Sequence, residues 1–506
     1  VPAESGPDAT ADDADARTLA AMGYRQELAR VMGGFSNFAV SLSIICILAG
    51  GVTSFHLGFC SVGGAAIGIG WPVSCALSLV VAAAMAQIAS AFPTAGGLYH
   101  WASILGGRGW GWATAWFNLL GLVTVLAAIN AGTYDFAAGV IGWKPPEEHA
   151  DAVRLGILAA ITASHAAFNH LGIRLTSRLT DLSGYLILIV SVALTVAFLA
   201  CIPASAPWDW ARLWTFENFS GLPAGEEPVW PATGSLPMLF CLGLLLPAYT
   251  ITGFDASAHA SEETHDAATN APPGIVRSVL VSAGFGWAML CAAVLAMPDP
   301  RAAAEAGSGA FAATMDAVIP AVPRTVLYAG IIAAQYLCGL ATVTAASRMA
   351  YAFARDGGLP FSAALRRVSP RTKAPAAAVW AVAAASVAFT VYTPVYATLT
   401  AACTIFLYIS YVLPTALGLF AHGRTWREMG PWHLGSLFKP AAAVSVLFTA
   451  FLIVIGVQPP NDKNLYVVAG AVLLGAVVWF GWERRRFPGP PALRTGGKAG
   501  SETGSP

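Results

Sequence analysis

The chain has 506 residues, 56% of them hydrophobic and only 11% charged, and its 27 basic and 27 acidic side chains cancel to a formal net charge of zero. A mean hydropathy of +0.64 excludes an ordinary soluble protein and reads as a polytopic membrane protein, and the charge balance removes any electrostatic case for nucleic acid. The eight cysteines stand singly with no Cys-x-x-Cys spacing, which argues against zinc or a redox pair and for small core residues.

In chain order, residues 1–33 are acidic and Ala-rich and form a cytoplasmic N-terminal segment. They lack an apolar h-region, so no cleavable signal peptide is expected and the first span serves as the targeting signal. A spanning helix needs about 20 mostly apolar residues. That rule gives twelve transmembrane helices, over residues 34–56, 63–90, 111–140, 153–171, 180–202, 236–258, 276–297, 325–354, 375–393, 395–421, 438–457 and 465–483. The remainder, 484–506, is rich in Gly, Pro and Ser from Pro488 onward and reads as a disordered cytoplasmic tail.

Lys and Arg set the orientation, because cytoplasmic flanks carry their excess. With the N-terminus inside, only Lys144, Arg154, Arg212, Arg301, Arg324 and Lys463 fall outside, leaving 21 of the 27 inside. One missed or invented helix would invert every later loop and spoil that ratio. The expectation is therefore a multi-pass protein of the cytoplasmic membrane with both termini cytoplasmic.

Two spans are interrupted. The first reads "SLSIICILAGGVTSFHLGF", with Gly50-Gly51 before Val52, Thr53 and Ser54; the sixth reads "LLLPAYTITGFDASA", with Pro247 before Thr250, Thr252 and Gly253. Backbone that leaves a helix inside a membrane must be buried in protein or line a wet cavity. Corresponding breaks in two halves of a chain point to a transporter's binding site. Free N–H groups at the start of a half-helix favour a carboxylate, and free carbonyls at the end of another favour an ammonium or a cation; an amino acid carries both charges. The alternative is that Gly50 and Gly51 only let helices approach closely.

With these breaks, the patches "GGFSNFAVSLSIICILAGG", "QIASAFPTAGGLYHWAS" (87–103), "TGFDASAHASEET" (252–264) and "ASRMAYAFARDGGLP" (346–360) make the chain resemble the amino acid/polyamine/organocation transporter superfamily. Within it, the likeness is to the branch holding fungal GABA and choline permeases and bacterial amino acid permeases. The resemblance implies an all-α integral membrane protein of the LeuT-like fold: a first five-helix repeat over 34–202, an inverted second repeat over 236–421, and two peripheral helices over 438–483. It implies substrate binding by the backbone of Ala49, Gly50, Gly51, Val52 and Thr53, opposite Thr250, Thr252 and Gly253. Tyr249 falls where relatives place an aromatic that covers the substrate, and its ring also suits a cation; a packing tyrosine is the alternative.

The other polar residues in or near spans have two readings each. Asp255 sits where relatives carry an acidic residue tied to coupling or gating; a carboxylate in a span is costly, yet at a helix end it also serves as a solvated gate or cap. Asn130 suits either substrate or interhelical bonding, and Asp135 an outer vestibule or a cap. In sodium-coupled members of the wider fold, hydroxyls at Thr342, Thr344 and Ser347 help hold an ion; otherwise they bond neighbouring helices. Glu262 and Glu263 are expected to pair with basic residues or solvent, and His259 is expected to be structural. The fifth span, "TDLSGYLILIVSVALTVAFLA", lacks the lysine that proton-linked bacterial relatives often place there.

The function expected is a secondary active transporter importing an amino acid or related small amine by alternating access. It needs no cofactor, and a proton is the expected coupling ion, with Na⁺ or substrate exchange as alternatives. The partners are a small-molecule substrate and the lipid bilayer, and the chain is a monomer or homodimer. An intramembrane enzyme needs a nucleophile and base, or metal motifs such as His-Glu-x-x-His, which the sequence lacks. A membrane ligand sensor is the alternative of another class, though no soluble output domain is visible.

Overall fold

A computed structural model describes residues 7–202, 208–225, 227–392, 396–491 and 493. Among them the chain is helical and no strand forms; the two isolated bridges join Met32 to Thr264 and His422 to Trp426. Nine helices among the described residues are long and apolar enough to cross a membrane. The other three expected spans are helical too, over Ala150–His170, Leu236–Thr250 and Ala376–Tyr392. The first of these carries Asp151, Arg154, His165 and Asn169, which dilute its hydropathy, and the second is cut short by the break that follows Thr250.

Burial orders these helices from centre to rim. The most apolar window of Gly34–Thr53 is 83% buried, against 39% for Ile173–Ala200 and 11% for Lys463–Arg486. An apolar surface that protein does not cover is left for lipid, so the first span is the hub and the last the outermost. The longest helices, Arg108–Ile141 and Ala321–Arg355, have 34 and 35 residues, or about 50 Å at 1.5 Å per residue. Both exceed a bilayer core of about 30 Å and reach beyond it.

The N-terminal segment is not a free arm. It forms the helix Pro7–Ala21, and then Leu28 and Met32 bury fully as Val31 and Met32 donate their backbone N–H groups to Glu263 O. Asp15 accepts from the N–H groups of Asp266 and Ala267 at 2.7 and 3.3 Å, satisfying the start of the helix Ala267–Ala296. The expectation of disorder from residue 484 fails where that tail is described. Arg484–Arg486 are helical, and Phe487 is fully buried with its ring against Tyr99, Phe353 and Trp479. Phe487, with the buried Gly489 and Pro490, supplies packing that composition alone concealed. Residues 492 and 494–506 of that tail lie outside the described residues.

Candidate functional site

Both expected breaks form. The first element runs as Gly34–Ile45, a turn, Gly50–Thr53 and Phe55–Val62; Cys46 takes a positive φ of 23° where the helix lets go. The second runs as Leu236–Gly243 and Leu245–Thr250, unwinds over 251–255, and resumes at Ala256–His259. They interlock at two points. A Cβ on Gly50 would lie 2.8 Å from Thr250 Cα, and one on Gly253, where φ is +95°, would lie 2.2 Å from Ile44 Cγ2. Glycine is thus required at 50 by close approach, and at 253 by both approach and backbone conformation.

Unwinding frees backbone groups, and most find partners. Leu48 O accepts from Gln335 Nε2 at 3.0 Å and Ile44 O from Cys338 Sγ at 3.3 Å. Phe254 O accepts from Ser41 Oγ at 2.8 Å, and Gly253 N–H donates to the Tyr411 hydroxyl at 3.1 Å. The N–H groups of Ile47 and Leu48 make no hydrogen bond among the described residues; they sit where the Gly50–Thr53 turn begins, the position that suits an anion. The hydroxyls of Thr250 and Thr252 bond Leu246 O and Tyr249 O of their own element, so these side chains brace the break.

A cavity of about 610 Å³ opens from one end of the bundle down to Val52, Thr53 and His56, with Asp135, Glu305 and Lys463 also in its wall. Asp135 is paired with Arg154 at 3.0 Å. Its floor is closed by a residue that sequence reasoning missed. Tyr396 places its hydroxyl 2.6 Å from Thr53 Oγ1 and 2.9 Å from Ser54 Oγ, and its ring lies edge-on to Tyr249 with centroids 6.4 Å apart. Tyr249, Ala49, Gly50, Gly51, Thr250, Thr252 and Gly253 are buried together beneath it.

The opposite end is shut in two layers. In the first, Asp255 is fully buried and accepts from Tyr411 at 2.8 Å, Asn118 at 3.0 Å and His259 at 3.2 Å. Because the Tyr411 hydroxyl also accepts from Gly253, the carboxylate is wired to the break through one atom. In the second layer Glu262 pairs with Arg355 at 2.8 Å and Glu263 with Arg348 at 3.0 Å. Burial pushes the Glu262 carboxyl up, but Arg355 and the Ala95 N–H more than offset this and hold it below the ordinary carboxylate value. Tyr24 and Tyr99 both donate to Asp356 Oδ2, at 2.6 and 2.7 Å, and the Arg355 guanidinium lies 4.0 Å over the Tyr24 ring.

Three expected residues lie elsewhere in the packing. Asn130 donates to Thr162 at 2.8 Å, joining two helices, while its Oδ1 has no partner among the described residues. Thr344 donates to Asn169 at 2.8 Å, and Ser347 donates to Thr344 O and accepts from Arg348. The sequence offered no signal for Gln335, Asn118 or Tyr411, which stand among several other polar residues of long helices; their roles emerge only from what they face.

A pattern described as amino acid permease matches residues 32–479. The chain is 32% identical over 510 residues to the amino-acid permease BAT1 of Arabidopsis thaliana, covering 93% of this chain and 95% of that protein. It is 31% identical over 509 residues to the amino-acid permease BAT1 homolog of Oryza sativa, with 93% and 94% covered. It is 26% identical over 516 residues to amino-acid permease 2 of Neurospora crassa, with 96% and 91% covered. A match of this extent, on a bundle of membrane-length helices with two interlocked breaks at its centre, is a transporter's and not an enzyme's: the chain belongs to the amino acid permease family.

Proposed function

We propose that this protein imports an amino acid or related small amine across the plasma membrane by alternating access, with the substrate held between the breaks at Ala49–Thr53 and Tyr249–Gly253. The observation that carries this reading is the interlock of the two breaks beneath a cavity open at one end only. In this reading the substrate carboxylate meets the free N–H groups of Ile47 and Leu48, and Tyr249 covers the amine side. Tyr396 is the outer gate. Asp255 is the inner one, and the proton is the coupling ion, taken up at Asp255.

The architecture that goes with this function is twelve spans in two inverted five-helix repeats, 34–202 and 236–421, with 438–483 peripheral and both termini cytoplasmic. The cavity then faces outward, and the layers built on Asp255, Glu262 and Glu263 close the inner mouth. Thr344 and Ser347 brace the scaffold behind the first break through Asn169 and Arg348.

Uptake of a labelled amino acid and amine panel into proteoliposomes, with pH and sodium gradients imposed separately, tests the proposal. Accumulation driven by the pH gradient is expected. Flux that ignores both gradients but needs substrate on the far side would replace symport with exchange, and binding without flux would replace transport with sensing.

A further inference from the structure

A second concavity lies on the outside of the bundle, between the helix Arg108–Ile141 and the outermost helix Lys463–Val478. It is a groove of about 480 Å³ walled by Trp112, Trp116, Trp479 and Phe480, a size that accommodates a small molecule or a lipid chain. Small residues hold it open: a Cβ on Gly109 would lie 3.1 Å from the Trp479 ring, and one on Gly475 3.0 Å from Trp116 Nε1.

Two features make the groove more than a gap between helices. Arg108 lines it and is exposed, and Arg484, also exposed, sits with its guanidinium 6.0 Å from the centroid of the Phe480 ring in the groove wall. The neighbouring carboxylate, Glu483, is taken by Arg486 at 3.6 Å, so neither arginine at the groove is neutralised by it. The two stacked indoles also differ. Trp116 Nε1 donates to Ala471 O at 3.0 Å, whereas Trp112, only 3% exposed, has a buried Nε1–H with no acceptor among the described residues. Arg108 donates to Phe487 O at 3.3 Å, and among the described residues neither Arg108 nor Arg484 has a carboxylate partner; an orphaned donor just beneath an apolar surface beside two such cations suits a ligand with an apolar chain, a carbonyl oxygen and an anionic head.

We propose that this groove is a binding site for an anionic glycerophospholipid, its acyl chain laid against the tryptophans, an ester carbonyl accepting from Trp112 and its phosphate between Arg108 and Arg484. Basic pockets between spanning helices select such head groups. The site stands apart from the transport cleft and does not depend on which substrate is carried.

The test is native mass spectrometry of the full chain after exchange into phosphatidylglycerol or phosphatidylcholine of matched acyl chains. Wild type is expected to retain phosphatidylglycerol about tenfold better than phosphatidylcholine. Arg108→Gln with Arg484→Gln abolishes that preference, whereas Arg366→Gln with Arg367→Gln, which alters arginines outside the groove lining, leaves it. Trp112→Phe weakens retention of both lipids. The same preference in the Arg108/Arg484 variant, or equal retention by wild type, overturns the proposal. So does a doubled mass that Ala476→Phe, which fills the groove, returns to monomer, because the groove then belongs to a second copy of the chain.

Discussion

Replacing Gly253 by alanine tests the interlock of the breaks at its tightest point. The residue has φ +95°, where a Cβ costs about 1–2 kcal/mol. The added methyl would lie 2.2 Å from Ile44 Cγ2, an overpacking that costs about 1–3 kcal/mol once neighbours have shifted. The two together disfavour the interlocked conformation by roughly 2–5 kcal/mol, which at about tenfold per 1.4 kcal/mol is at least roughly 30-fold in its population. Initial uptake into proteoliposomes should fall accordingly, along with the thermal midpoint, while membrane insertion is unaffected. Ile44→Ala in the same chain should return the steric share and leave the conformational share. Gly253→Ala that transports and melts like wild type would refute the reasoning, because residue 253 would then not hold the backbone described.

Gly50→Leu, whose side chain meets Thr250 backbone from 2.8 Å, should abolish uptake without loss of inserted protein; normal uptake would remove the breaks from the substrate's path. Tyr396→Phe deletes two hydroxyl contacts at the cavity floor; at about 1 kcal/mol each, bound substrate should dissociate roughly fivefold to thirtyfold faster, and an unchanged rate would count against an outer gate. Asp255→Asn should flatten the pH dependence of uptake, and an unaltered profile would move coupling to another residue. For Glu262 the sign follows from a carboxyl held low: its pairing stabilises the fold above the ordinary carboxylate range and is lost only as pH falls through the lowered value. The difference in thermal midpoint between wild type and Glu262→Gln should therefore stay constant between about pH 5 and pH 8, and a difference that fades across that interval would contradict the assignment.

What was legible in the sequence is what backbone chemistry forces. Gly50-Gly51 and Gly253 stand out as glycines beside threonines in mid-span; the second break contains Gly253, whereas the first falls on residues 46–49, one step before the glycine pair, which is helical. Glu262 and Glu263 were expected to pair with basic residues, and Arg355 and Arg348 are those partners. What stayed hidden depends on distance in the chain. Tyr411 joins Gly253 to Asp255 across more than 150 residues, and Tyr396 closes the cavity on Thr53 from more than 340 residues away. The ordered start of the C-terminal tail was concealed by composition, since its one aromatic side chain, Phe487, is buried among Gly and Pro.

The most direct measurement is a structure with a transported substrate bound. Its carboxylate is expected against the backbone at Ile47–Thr53 and its amine beneath Tyr249, with Tyr396 drawn over it. Substrate found only in the outer cavity by Asp135 and Glu305, with the two breaks still packed on each other and empty, would contradict the central claim.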